Sequence, residues 1–298
     1  MQHVVRKDPV VIISGWGFGR GFLEDQLAWM KTSRDLSCVS LEELLNSTSE
    51  LGREHSARER LISGLESQLS GEGSTILIGW SLGAILALEF ATLFPKRISG
   101  LLLFCGTPSF CQREGFPCGT SRSEMSAFRK GFRMTPEPVL RAFRERVCDI
   151  AHEGLCYTHH NSGFRLSENI FGSYLKVTQS QRPNMTPICF QRKRNSELRW
   201  VYEEETSQGL SDELASSLLC GLSYLEHVDL RDGLKSCDLP LMLVHAQDDA
   251  VVPVEASRYI EQSVSNCRTL FLPRGGHTPF LNLSDLEKKE IEEFLDNV

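Results

Sequence analysis

The sequence predicts an α/β protein: a mostly parallel central sheet flanked by helices and interrupted by a mostly helical insertion. Short, continuously apolar runs of strand length recur along the chain, and segments with helical periodicity lie between them, the alternation that builds a parallel sheet. The strand-like runs then disappear over residues 107–235, where helical candidates alternate with polar stretches. Residues 1–106 and 236–298 are therefore assigned to the α/β core and residues 107–235 to a helical lid insertion. A length of 298 residues suits one domain carrying such an insertion, and 41% hydrophobic composition supplies a full core and excludes a disordered chain.

Each element has its own signal. Val10-Val11-Ile12-Ile13 is apolar throughout, as a strand buried on both faces must be, and it stops at Gly15-Trp16-Gly17. Thr75-Ile76-Leu77-Ile78-Gly79 repeats the pattern. Leu82 to Leu93 follows with helical spacing until Pro95 ends it, and Ile98 to Phe104 is the next strand. In the insertion, Val139 to Ala151 and Ser211 to Leu225 read as helices, while Arg182-Pro183-Asn184 and Thr186-Pro187 mark loop within 157–200. Pro240 to His245 and Arg268 to Leu272 are further strands. Leu286 to Leu295 closes the chain as an amphipathic helix, with Ser284 as N-cap and Glu287 three residues on.

Composition removes several functions. A net charge of −7 argues against a nucleic-acid scaffold, which needs positive surface to displace counterions. The charge is unevenly spread: from Arg113 to Trp200 the balance is +7, which leaves −14 on the rest. Met1 to Asp8 is charged, and Val10 to Ile13 is far shorter than a signal-peptide core or the roughly 20 residues of a membrane span, so a cytoplasmic, monomeric protein without membrane contact is expected. The ten cysteines, with Cys38, Cys105 and Cys189 beside apolar neighbours, read as buried free thiols. Cys148, His152 and Cys156 share a helix face, with His159 and His160 close behind. Gly154 weakens that helix, however, and the spacing fits no common zinc module, so no metal and no cofactor are expected.

The chemistry concentrates at the ends of the strands. Gly79-Trp80-Ser81-Leu82-Gly83 is a G-x-S-x-G sequence between a strand and a helix, the context in which a sharp turn projects the serine above the sheet. Ser81 is the candidate nucleophile, and the Leu82 amide faces the space where an oxyanion would form. His277, in Gly275-Gly276-His277-Thr278-Pro279-Phe280, follows the last strand and is the candidate base. An acid to orient it is offered by Asp248 or Asp249, adjacent in the loop after the strand Pro240 to His245, and spacing leaves the choice between them open. Trp16, at the end of the first strand, would give the second oxyanion amide.

Gly-Trp-Gly at 15–17, Gly-Trp-Ser-Leu-Gly at 79–83, Val228-Asp229-Leu230-Arg231 before Pro240, Asp249 followed by Val252-Pro253, and Gly276-His277-Thr278-Pro279-Phe280 together resemble the α/β-hydrolase esterases of biotin synthesis. The resemblance covers Val10 to Gly17, about Thr75 to Pro108, and His227 to Val298. It implies an α/β-hydrolase fold, and it selects Asp249 as the acid, since that family's aspartate sits four residues before the proline. It further implies a triad of Ser81, Asp249 and His277, oxyanion amides at Trp16 and Leu82, and hydrolysis of the methyl ester of pimeloyl-acyl-carrier protein.

The insertion bears on the partner. Arg122, Arg129, Lys130, Arg133, Arg141, Arg144 and Arg146 form a basic cluster, whereas acyl carrier proteins are strongly acidic. These residues, except Arg146, are the candidate carrier contacts, a role that lid arginines have in the resembling family. Val139, Leu140, Phe143 and Val147 are expected to face the active site, and Trp80 and Phe143 to meet the substrate. The expected function is thus a serine carboxylesterase acting on a carrier-borne ester. A generic small-ester or acyl-thioester hydrolase is one alternative, and a non-catalytic binding protein on a hydrolase scaffold is another.

Overall fold

A computed structural model describes residues 7–30, 32–48, 55–69, 71, 73–149 and 210–298. Among these, six strands form one sheet: β1 (Val10–Ile13), β2 (Leu36–Val39), β3 (Thr75–Trp80), β4 (Ile98–Phe104), β5 (Leu241–Ala246) and β6 (Cys267–Leu272), in the order β2-β1-β3-β4-β5-β6. Every neighbouring pair runs parallel. All strands therefore point their carboxyl ends to one edge, and the order reverses direction between β1 and β3. Such a reversal opens a crevice above the sheet, because the connections leave on opposite sides.

Period-two geometry divides the continuous apolar runs between two cores. Val11, Ile13, Leu77, Leu101, Leu103, Leu241 and Leu243 face one side. Val10, Ile12, Ile76, Ile78, Leu102, Phe104, Met242 and Val244 face the other. The first side is covered by α2 (Leu41–Asn46), α3 (Ala57–Gln68) and α4 (Leu82–Leu93), the second by α1 (Arg20–Leu27). Helix α4 is apolar nearly all round, as a helix enclosed by the core must be. Its one charge, Glu89, is buried and satisfied by Arg58 Nε and by Tyr224 Oη, which donates at 2.7 Å.

Between β4 and β5 the chain forms α5 (Arg122–Met134), α6 (Pro136–Asp149) and α7 (Asp212–His227), followed after β5 by α8 (Val254–Ser263) and finally by α9 (Asp285–Asn297). The helix expected from Val139 starts three residues earlier, at Pro136, since proline is favoured in a first turn. The helix expected from Ser211 has that serine as its cap. Ser284 and Glu287 form the expected capping box at the head of α9. His152, Cys156, His159, His160, Cys189 and the segment 157–200 lie outside the described residues. The eight described cysteines are free; Cys38, Cys105, Cys111 and Cys237 are buried, and burial pushes the Cys38 thiol up to about 12. No helix among the described residues is long and apolar enough to cross a membrane.

Two glycines allow β3 to meet α4. A Cβ on Gly79 would stand 2.4 Å from Gly83 O, and one on Gly83 would stand 2.2 Å from Ile13 O. Gly83→Ala is therefore expected to cost about 1–3 kcal/mol by forcing backbone apart, read as a lower denaturation midpoint in urea. A wild-type midpoint would show that this crossing has slack.

Candidate active site

Strand β3 ends at Trp80, and α4 begins two residues later, so the direction change falls on Ser81, at φ 56° and ψ −116°. A non-glycine residue at positive φ is strained, and the surrounding fold must hold it there. Ser81 N–H donates to Phe104 O at 3.0 Å, continuing the β3–β4 ladder, while Ala84 and Ile85 N–H both donate to Ser81 O. Leu82 heads the helix, where an N–H has no partner within the helix. Pairing of Ile13 with Gly79 brings the end of β1 beside this turn. There Phe18 N–H donates to Gly15 O around Trp16 and Gly17, and Gly17 takes φ 79°, a value that glycine supplies to such turns.

His277 reaches Ser81 from the far edge of the sheet. Its Nε2 lies 2.8 Å from Ser81 Oγ, and its Nδ1 lies 2.8 Å from Asp249 Oδ2. A carboxylate only accepts, so Nδ1 carries the ring proton and Nε2 is left to accept from the serine. Asp249 Oδ1 accepts from the N–H groups of Val251 and Val252 at 2.8 and 2.9 Å. Burial pushes the Asp249 carboxyl up, but the charge of His277 and hydrogen bonds from His245 and His277 outweigh it and hold the group well below the ordinary carboxylate range. Asp249 is thus ionised at neutral pH.

Geometry separates the two acids that spacing leaves open. Asp248 turns away and accepts the N–H groups of Gly275 and Gly276 on Oδ1, at 2.9 and 2.8 Å, so one acid bonds the imidazole and its neighbour holds the loop that carries it. Trp80 also serves this loop. Its ring is 1% exposed, packs on Phe18, Phe22 and Phe280, and donates Nε1–H to His277 O at 2.7 Å. The expected substrate contact of Trp80 is therefore corrected: the side chain is enclosed behind the histidine.

Trp16 is likewise packed. It is met edge-on by Phe128, Phe132 and Phe143, and its Nε1–H donates to Leu218 O at 2.8 Å, leaving its backbone to the turn. Val139, Leu140 and Val147 are buried and Phe143 half-buried. Of the basic cluster, Arg122, Lys130, Arg133 and Arg141 are exposed, and Arg129 is paired with Glu226 at 2.7 Å. Arg144 requires a correction. It is 5% exposed, donates Nε–H to Gly17 O at 2.5 Å and lies over the Phe18 ring, so it braces the β1 turn and has no surface to offer a partner.

Two features escaped the sequence reading. His245, within β5, is fully buried against Asp249, and Cys105, at φ 53°, sits beneath the same carboxylate. A histidine inside a buried apolar run must find partners, and that signal was available. Burial, reinforced by the Asp249 charge, pushes the Cys105 thiol well up. Cys105, Asp249 and His277 are the group among the described residues with ligand atoms close enough for a metal, but both nitrogens of His277 already serve Ser81 and Asp249.

Comparison with known proteins gives the family and the fold. The sequence model of the "Alpha/beta hydrolase family" matches residues 6–287. The chain belongs to the α/β hydrolase family. It is 24% identical over 306 aligned positions to the pimeloyl-[acyl-carrier protein] methyl ester esterase of Methylococcus capsulatus, covering 97% of this chain and 95% of that protein. The protein of the same name from Nitrosomonas europaea is 24% identical over 214 positions, 72% of this chain and 68% of its own length. An esterase structure from Exiguobacterium antarcticum superposes with a TM-score of 0.64 at 18% identity, over 97% of this chain and 92% of that one, and shares the fold.

Asp248→Ala releases the two glycine amides without touching Asp249. A fall in kcat of about tenfold to a hundredfold is expected in ester-hydrolysis assays, from a displaced His277 loop in an otherwise folded protein. Wild-type turnover would show that the loop holds itself.

Proposed function

We propose that this protein is a serine carboxylesterase that hydrolyses the methyl ester of pimeloyl-[acyl-carrier protein] to pimeloyl-[acyl-carrier protein] and methanol. At the level of class the chain is a carboxylic ester hydrolase of the α/β hydrolase family. The observation that carries the mechanism is the continuous hydrogen-bonded row Ser81 Oγ, His277 and Asp249 at the carboxyl edge of the sheet. Ser81 Oγ attacks the ester carbonyl as His277 Nε2 takes its proton, and Asp249 stabilises the imidazolium. The amides of Trp16 and Leu82 receive the oxyanion. His277 then gives that proton to the departing methoxide, which leaves as methanol, and activates the water that frees the acyl group from Ser81.

Two observations support a carrier-borne substrate. The relatives cited above are named for one, and Arg122, Lys130, Arg133 and Arg141 present positive charge on the exposed sides of α5 and α6. Complementary charge of this kind steers an acidic partner and loses effect as salt rises.

Ser81→Ala should lower turnover of a p-nitrophenyl ester at least about 10⁴-fold and abolish any acyl-enzyme burst. Retained turnover would remove Ser81 from the mechanism. Reversing charge at Arg133 and Arg141 together should raise KM for the carrier-borne methyl ester at least about tenfold while leaving the p-nitrophenyl ester unaffected. For the wild type, the preference for carrier-borne over free pimelate methyl ester should weaken as salt is added. A preference for the free ester that salt does not change would count for a small-ester hydrolase.

A further inference from the structure

Asp249 has a second histidine. His245 Nε2 lies 3.0 Å from Asp249 Oδ2, the same oxygen that receives His277, and 2.9 Å from Val252 O. Both neighbours are acceptors, so Nε2 carries a proton and shares it between them. On the opposite edge of the ring, Nδ1 meets Ser257 Oγ at 2.7 Å, and that hydroxyl also bonds Gly106 O at 2.8 Å. The ring is thus gripped by α8 on one side and by the catalytic loop on the other, with no exposed surface. We propose that His245 is a positioning residue for the reaction, fixing the rotation of the Asp249 carboxylate so that Oδ2 stays in line with His277 Nδ1.

The argument rests on the count of donors. An ionised carboxylate offers about four lone-pair sites. Two N–H groups fill those of Oδ1, which anchors that oxygen but leaves the plane of the group free to tilt about it. Without His245 the carboxylate would keep, besides those amides, the weak thiol donor of Cys105 and the His277 bond, which would have to fix that tilt while its own ring takes and returns a proton. A second donor on Oδ2 from a ring that does not enter the proton transfer removes this freedom. It also supplies a compensating bond to a charge that is fully buried. The effect reaches the reacting atoms only through Asp249 and His277, so loss of His245 acts on turnover and not on substrate binding.

This inference rests on the triad reading given above, and two substitutions test it. The terminal amide of Gln places an N–H near the position of Nε2, whereas the shorter Asn places one near Nδ1 and leaves Oδ2 without its second donor. With a p-nitrophenyl ester, His245→Asn is expected to lose about tenfold or more in kcat at a KM within about twofold of wild type, and His245→Gln to recover most of that loss. Equal kcat for the two variants, or losses that follow their melting temperatures, would overturn the proposal. A measurement on the unaltered protein stands beside these: nitrogen-15 histidine spectra should show His245 protonated at Nε2, and an unprotonated Nε2 would also overturn it. Turnover by Ser81→Ala would instead defeat the triad reading, whereas a fully active His245→Asn leaves the triad intact and defeats this inference alone.

Discussion

A backbone approach too close for any side chain governs the rest of the molecule: α4 passes under the end of β1 with Gly83 facing Ile13 O. With the helix pressed this near the sheet, the chain leaving β3 has one residue in which to reverse, and Ser81 takes a positive φ as a result. That strain costs of order 1–3 kcal/mol. Burial of ten of the twelve residues of α4, each worth about a kilocalorie or more for a Leu, Ile or Phe, offsets it several times over. The contact that strains Ser81 also brings the β1 turn alongside, so candidate nucleophile and candidate oxyanion amides are positioned by one packing event. Strand order adds the space, because the reversal between β1 and β3 opens the crevice there.

A buried charge is the second demand on the fold. Asp249 is removed from water yet ionised, which is tolerable because every oxygen lone pair meets a donor: two amides of its own loop and two imidazoles. This arrangement explains why two consecutive acids stand after β5. Asp249 needs donors that reach it from the same loop and from β5, while Asp248, on the exposed side, is free to bind the glycine amides that precede His277. Trp80 completes the fixation from below through His277 O. The imidazole is thereby held through its ring, its own carbonyl and the two residues before it, although it comes from a loop that crosses from β6 to the end of β3.

Much of this was legible in the sequence. Strands buried on both faces are continuously apolar, so β1, β3, β4 and β5 stand out, and G-x-S-x-G between strand and helix locates Ser81 directly. Strand β2 was not legible, because only two of its four residues are buried. Helix α1 lacks both a side-chain cap and a strong apolar stripe. Asp248 and Asp249 could not be separated by spacing, since their difference lies in contacts 27 and 28 residues away in Gly275, Gly276 and His277. His245 carries a signal as a polar ring inside an apolar run, but its partner is fixed only by the fold, which brings Asp249 to face it. Arg144 misled for the opposite reason: a guanidinium counts as surface charge in any tally, yet here its planar donors fit a carbonyl and its cation fits an aromatic face.

The two kinds of arginine in the insertion divide its work. Arg122, Lys130 and Arg133 are exposed, so their charge reaches over a Debye length of about 8 Å and answers to salt. Arg144, on the same helix as Arg141, is desolvated and short-range, and it bonds the carbonyl of Gly17 in the turn that presents the Trp16 amide. Trp16 adds a second tie through Leu218 O on α7 and through its three phenylalanine neighbours on α5 and α6. The insertion is therefore not a cap resting loosely on a finished site. Its helices supply the packing that defines one wall of the β1 turn.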